Sequence, residues 1–167
     1  MVKYAWPYQK EFASIYDSVW LTSEFFKAEA QHNINIVKKL LKPGSKWLDC
    51  GCGTGYFLSQ FPGVHRAGFD LSPAMLEHAK KANPDAEFFR QMNLLNEEKE
   101  WHNQWDLVTS TGMPWSYLAT MSEIEEVIKN LSSYVKNDGK LMLVPLDISD
   151  IIPGNFPHYY REEDLPS

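Results

Sequence analysis

Lys46-Trp47-Leu48-Asp49-Cys50-Gly51-Cys52-Gly53-Thr54-Gly55-Tyr56-Phe57 decides how this chain folds. A short apolar run ends on an acid, passes three glycines at alternate positions and enters what reads as a helix start. Glycine lets the backbone turn tightly and lets a ligand approach the main chain where a Cβ would collide. A helix opening behind such a turn adds free N–H groups that favour electronegative ligand atoms. The spacing is the informative part. A dinucleotide loop reads G-x-G-x-x-G, whereas Gly51, Gly53 and Gly55 give G-x-G-x-G with Asp49 two residues ahead. A glycine-rich turn without any ligand also fits this stretch, so the rest of the chain has to decide.

Downstream, His65-Arg66-Ala67-Gly68-Phe69-Asp70 reads as a second strand whose terminal acid lies 21 residues after Asp49. At the tip of a strand beside the first, such an acid can accept hydrogen bonds from both hydroxyls of a ribose. Ser72-Pro73 behind it is also a helix N-terminus signal, with Ser72 as the cap and proline in the first turn. The two readings are compatible.

Outward from this pair the chain alternates helix and strand. Residues 11–21 place Phe12, Ile15, Tyr16, Val19 and Trp20 on one helical face. Ser23 caps a second helix to about Leu41, with Ile34, Val37, Leu40 and Leu41 inward, and Pro43-Gly44 ends it. Strands follow at 46–50 and 65–70, with a short helix over 57–61 between them, and a further helix runs through Met75 to Ala82. A third strand is expected over 86–92 and a fourth over Trp105–Ser110. An amphipathic helix spans 122–135, Lys136-Asn137-Asp138-Gly139 makes a turn, and 140–144 is the fifth strand. Strands joined by helical crossovers imply an α/β fold with a doubly wound, mostly parallel sheet.

Composition agrees with one compact unit. The 167 residues suffice to bury a real core. The net charge of −6, with Arg66, Arg90 and Arg161 the only arginines, argues against nucleic acid, whose binding rests on clustered cations. No apolar run approaches the roughly 20 residues that span a bilayer, and Met1 to Pro7 lacks a signal-peptide core. A cytosolic (cytoplasmic) protein without a membrane partner is expected. The only two cysteines, Cys50 and Cys52, are too cramped for an ordinary disulfide and too few for a zinc set, so no metal is expected.

D-x-G-x-G-T-G on a strand-to-helix turn, followed by Asp70-Leu71-Ser72-Pro73-Ala74-Met75-Leu76, resembles the class I, Rossmann-like S-adenosylmethionine-dependent methyltransferases. The resemblance implies S-adenosylmethionine as cofactor and strand order 3-2-1-4-5. It lays Gly51, Cys52, Gly53 and Gly55 beneath the methionine part of the cofactor, sets Asp49 to assist its amino end and gives Asp70 the ribose. Leu71 and Met75 would supply apolar contact, with Met75 equally readable as core. Met92 or Asn93 would meet the adenine; only the Asn93 side chain can accept a hydrogen bond, where the family usually has aspartate, and an ordinary turn residue fits there too. Thr109 and Thr111, after the fourth strand, belong to the rim beside the methionine half.

Phe12-Ala13-Ser14-Ile15-Tyr16-Asp17 is similar to small-molecule methyltransferases that include sugar N,N-dimethyltransferases and glycine N-methyltransferase relatives. There the N-terminal helix lids the cofactor, which carries a methyl-positioning role onto Tyr16; packing in the apolar stripe is the other reading. Tyr4, Trp6 and Tyr8 could line the same mouth. The segment from Ser110 to Met113 lacks the [DNS]-P-P-[YFW] signature of enzymes that methylate planar nitrogens, so the expected acceptor is a small molecule, an amine or a hydroxyl compound. His158, Tyr159, Tyr160, Glu162 and Glu163 in the tail, together with Tyr16, are candidate bases, His158 being the one with a suitable unperturbed pKa; an exposed loop histidine fits it as well, and none is assigned.

The resemblance implies a closing helix and strand pair after the fifth strand, for which Pro145 to Ser167 is too short, so a truncated or fragmentary domain is expected. Residues 1–147 therefore read as the cofactor core with its lid helices, and 148–167 as a tail or the start of a substrate-binding insertion. Ending the sheet at the fifth strand leaves an edge for the tail, a homodimer or a partner chain to cover. A cofactor-binding sensor and a partner-dependent subunit are the alternative functions; a dehydrogenase has the wrong glycine spacing.

Overall fold

The computed structural model describes residues 10–112, 114, 118 and 120–144. The described residues form, in order, α1 (Lys10–Ala13), α2 (Tyr16–Trp20), α3 (Glu24–Leu40), β1 (Lys46–Cys50), α4 (Tyr56–Ser59), β2 (His65–Asp70), α5 (Pro73–Ala82), β3 (Phe89–Gln91), a 3-10 turn (Lys99–Trp101), β4 (Trp105–Ser110), α6 (Met121–Tyr134) and β5 (Val135–Leu143). The five strands form one parallel sheet in the order β3-β2-β1-β4-β5. This is the doubly wound order expected, and it reverses between β1 and β4, opening a crevice at their carboxyl ends.

Alternate residues of each strand feed opposite faces of the sheet. Trp47 and Leu107 pack with Val37, Leu58 and Leu76 on one face, whereas Leu48, Cys50 and Val108 pack with Val127, Leu131 and Tyr134 on the other. The second face also holds an aromatic group in which Trp101 meets Phe69, Phe88 and Tyr134 at centroid distances of 5.4–5.7 Å. Helix caps fix the crossovers. Ser72 Oγ accepts from Met75 N at the start of α5, and a reciprocal box between Thr120 and Glu123 opens α6, each worth about 1 kcal/mol.

Three expectations need correction. A single helix over 11–21 is replaced by α1 and α2, broken at Ser14-Ile15. Ile15 and Val19 are left 49% and 47% exposed, because α2 is oriented by a bond from Thr54 Oγ1 to Asp17 Oδ1 (2.6 Å). Lys136–Gly139 is no turn between elements: β5 runs through it, with Trp105 opposite Val135 and Leu107 opposite Lys140. The extra residues form a bulge at Gly139, where a Cβ would come within 2.9 Å of Asp106 O and 2.8 Å of Val135 Cγ1. The third strand is also shorter than expected, because residues 83–88 are spent on the turn after α5 and its contacts to Arg66 and Gly68.

Residues 148–167, with His158, Tyr159, Tyr160, Glu162 and Glu163, and residues Tyr4, Trp6 and Tyr8 lie outside the described residues. No helix among those described is long and apolar enough to cross a membrane.

Candidate functional site

The turn after β1 takes positive φ at Gly51 (73°), Gly53 (54°) and Gly55 (73°), which accounts for the alternate spacing. The glycines are needed for different reasons. A Cβ on Gly51 would run into the ring of Pro114, and one on Gly55 would meet Ala79 and Asn83 of the packed α5 side. At Gly53 a Cβ would find nothing within 4 Å, so the main chain there fronts open space. The loop is tied to β2: Gly51 N and Cys52 N both donate to Phe69 O (2.8 and 2.9 Å), and Gly53 N donates to Asp70 Oδ2 (2.9 Å).

Asp70 also accepts from Ser72 N through Oδ1 (2.8 Å). Burial raises its pKa, against the opposing pull of the N–H groups of Ser72, Gly53 and Leu71. Gly53 N on Oδ2 and Ser72 N on Oδ1 are the close donors, and the carboxylate keeps further acceptor capacity beside them.

Asp49 lies deeper, 1% exposed. Thr109 Oγ1 donates to Asp49 Oδ1 (2.6 Å) and accepts from Trp47 Nε1 (2.8 Å). Burial pushes the Asp49 carboxyl up to about 7, reinforced by the charge of Asp70 and opposed by hydrogen bonds from Thr109 and Thr111. Burial also drives the Cys50 and Cys52 thiols well above their usual range, so they serve as small packing groups. Among the described residues no cluster of three or more His, Cys, Asp or Glu could hold a metal ion.

Above the loop opens a cavity of about 730 Å³, within the usual range for a small-molecule site. Its floor is Gly51, Cys52, Gly53 and Thr54; one end is built by Asp70, Leu71, Met92 and Asn93; and the far wall is aromatic and helical, with Tyr16, Trp20 and Phe26. Thr111 lies on its rim. Tyr16, Gly51, Cys52, Gly53, Asp70, Leu71, Met92, Asn93 and Thr111 are thus brought together. Asp49 and Thr109 form the layer behind Thr111, while Gly55 and the fully buried Met75 face the packing of α5. Asn93 Oδ1 accepts from Leu95 N (3.0 Å), so part of its acceptor capacity goes to its own turn.

Sequence reasoning missed Asp17, Glu29 and Asn33, which also line the cavity. A signal was present on α3. Its buried line runs Ala30, Asn33, Val37, and an asparagine inside an apolar stripe marks a polar demand. Charged side chains around the cavity are Asp17, Glu29 and Asp70 against Lys10 alone among the described residues.

Residues 23–164 match the family described as a methyltransferase domain. Among curated proteins, the chain is similar to a dTDP-3-amino-3,4,6-trideoxy-alpha-D-glucopyranose N,N-dimethyltransferase of Streptomyces venezuelae, 28% identical over 83% of this chain and 58% of that protein. Among solved structures it is similar to Streptomyces venezuelae DesVI, with TM-score 0.67 and 28% identity over 83% of this chain and 59% of that one. It is also similar to S-adenosylmethionine-bound CalS10, an amino pentose methyltransferase from Micromonospora echinaspora, with TM-score 0.59 and 26% identity over 71% of this chain and 50% of that one. The chain spans little more than half the length of these relatives.

Proposed function

The chain belongs to the methyltransferase domain family, and from that premise we propose that it transfers a methyl group from S-adenosylmethionine to the nitrogen of a small amine, an amino sugar. The carrying observation is the cavity's charge: three carboxylates and one lysine around a largely aromatic wall favour a cationic ligand over an anionic one. The N,N-dimethyltransferase and amino pentose methyltransferase among the relatives support the amine over the hydroxyl acceptor.

The residues present fit the cofactor. Open space at Gly53 lets a ligand lie against the main chain. Asp70 keeps acceptor sites for two ribose hydroxyls, with Leu71 and Met92 beside it as apolar surface and Asn93 at the adenine end. When bound, the cofactor supplies an electrophilic methyl on a sulfonium. Asp49, behind Thr111, adds negative potential below the amino end without touching the cavity. Tyr16, held edge-on to Phe12 and tilted against Trp20, forms the wall on the acceptor side and would steer the incoming nitrogen.

Little acid–base work is needed once the nitrogen is neutral. Alignment of nucleophile and methyl can supply about 7–11 kcal/mol, which fits a site built from rigid loops and rings. On this reading residues 1–147 form the cofactor core, and 148–167 belong to the acceptor side or to covering the β5 edge, a role a second copy or partner chain could also fill.

Calorimetric titration with S-adenosylmethionine, followed by assay of S-adenosylhomocysteine release over paired amino and hydroxy sugar nucleotides, tests the reading. Binding with turnover on the amino members alone is expected. Absence of cofactor binding would overturn the reading; binding without turnover on any amine would make the chain a sensor or a partner-dependent subunit.

A further inference from the structure

Among the described residues three carboxylates line the cavity, and two are already engaged. Asp17 accepts from Thr54, and Asp70 accepts from Gly53 and Ser72. Glu29 on α3 is half-buried, lines the same space and has neither hydrogen bond nor ion pair with any described residue. One helical turn on, Asn33 is 5% exposed, also lines the cavity and likewise has no side-chain partner among the described residues. The Asn33 amide is not sealed in packed protein, since the buried polar atoms without a partner among the described residues belong to His102 and Trp105; it meets the cavity and can offer its oxygen to a ligand there.

The two positions are i and i+4 on one helix, so their side chains lie on one face. Phe26 of the same helix and Tyr16 and Trp20 of α2 complete the wall. Trp20 and Phe26 are locked edge to face, 4.2 Å between centroids. A free carboxylate, a carbonyl acceptor and aromatic rings are what an alkylammonium group requires: charge pairing, hydrogen-bond acceptance and π-face contact. Lys10, the lining lysine, is exposed and forms no ion pair with Glu29, so the carboxylate is available.

We propose that Glu29 and Asn33 form an ammonium-binding subsite within the aromatic wall of this cavity, Glu29 carrying the countercharge and Asn33 the second acceptor. The inference rests on the proposed methyltransferase reading, which offers two sources of that group: the amino end of the cofactor and the amine of the acceptor.

The test is calorimetry with wild type, Glu29→Gln and Asn33→Leu, using S-adenosylmethionine, 5′-methylthioadenosine, which lacks the amino-acid tail, and a dTDP-amino sugar added to the S-adenosylhomocysteine complex. Loss of about 10- to 100-fold for S-adenosylmethionine in Glu29→Gln, with 5′-methylthioadenosine unchanged, places the cofactor's ammonium there. The same loss confined to the amino sugar places the acceptor there. Asn33→Leu should reproduce either pattern more weakly. Unaltered affinity for all probes in both variants, each with a wild-type melting transition, would overturn the subsite. Wild type that binds none of the probes would instead overturn the methyltransferase reading.

Discussion

Cofactor affinity should depend on pH through a group that the ligand does not touch. Asp49 is buried behind Thr111, and burial holds its carboxyl up to about 7. A cation arriving in the cavity favours the ionised acid, so binding is coupled to loss of the Asp49 proton. At pH 5 the empty protein is about two pH units below that value. Ionising Asp49 there costs on the order of 3 kcal/mol, or roughly 100-fold in affinity. Affinity for S-adenosylmethionine should therefore climb by up to about 100-fold between pH 5 and 7 and flatten above. Titrations in buffers of different ionisation enthalpy should count close to one proton released per ligand at pH 6. Histidine cannot imitate the effect from the cavity wall, since no described residue lining it is a histidine. Asp70, whose pKa is also raised, is separated by the variant: Asp49→Asn should flatten the curve while leaving the ribose contact. Wild-type affinity that stays constant from pH 5.5 to 7.5 refutes the coupling. Stability runs the other way. An acid whose folded pKa is raised contributes most below its unfolded value near 4, and that contribution is lost as pH rises through about 7, so the empty protein should melt lower at pH 8 than at pH 5.

Other perturbations separate ligand binding from folding. Asp70→Ala should cost roughly 1–3 kcal/mol of S-adenosylmethionine affinity by calorimetry, the value of a charge-assisted hydrogen bond; unchanged binding would mean the ribose is held elsewhere. Gly53→Ala places a methyl where the protein has room, with φ of 54° as the intrinsic strain. It should lower stability by about 1–2 kcal/mol and cofactor affinity by roughly tenfold or more, and a purely stability-driven effect would contradict the open-floor reading. Trp101→Ala removes the centre of the aromatic group on the α6 face. Denaturant unfolding should show a loss of about 3–5 kcal/mol, and a loss below 1 kcal/mol would show that the rings repack around the gap.

Strands β1, β2 and β4 were legible to the residue, because each is a buried run bounded by turn signals, and the G-x-G-x-G spacing with Asp70 carried the sheet order through resemblance. Failures came where tertiary contacts override local pattern. Lys136-Asn137-Asp138-Gly139 has turn chemistry, yet Lys136 Nζ pairs with Asp106 (2.9 Å) and Asn137 N donates to Asn103 Oδ1 (3.1 Å), drawing the segment into β5. The stripe over residues 11–21 has helical spacing, but it could not reveal that Asp17 would be claimed by Thr54 from a distant loop. The depth of Asp49 was equally invisible, since a motif gives the order of residues along the chain and not which side chain ends behind another. Glu29 and Asn33 went unmarked because nothing in the sequence near them ties them to the glycine loop.

Among the described residues, the irregular stretch between Val135 and Lys140 divides the outer margin of the sheet at β5 into two unequal docking tracks. Only Lys140–Leu143 keeps regular pairing with β4, opposite Leu107–Ser110, and offers a straight ladder to a newcomer; the displaced stretch before it does not. Any strand added outside β5, from this polypeptide or another, would be steered along that regular half, toward the end of β4 that leads into Thr111.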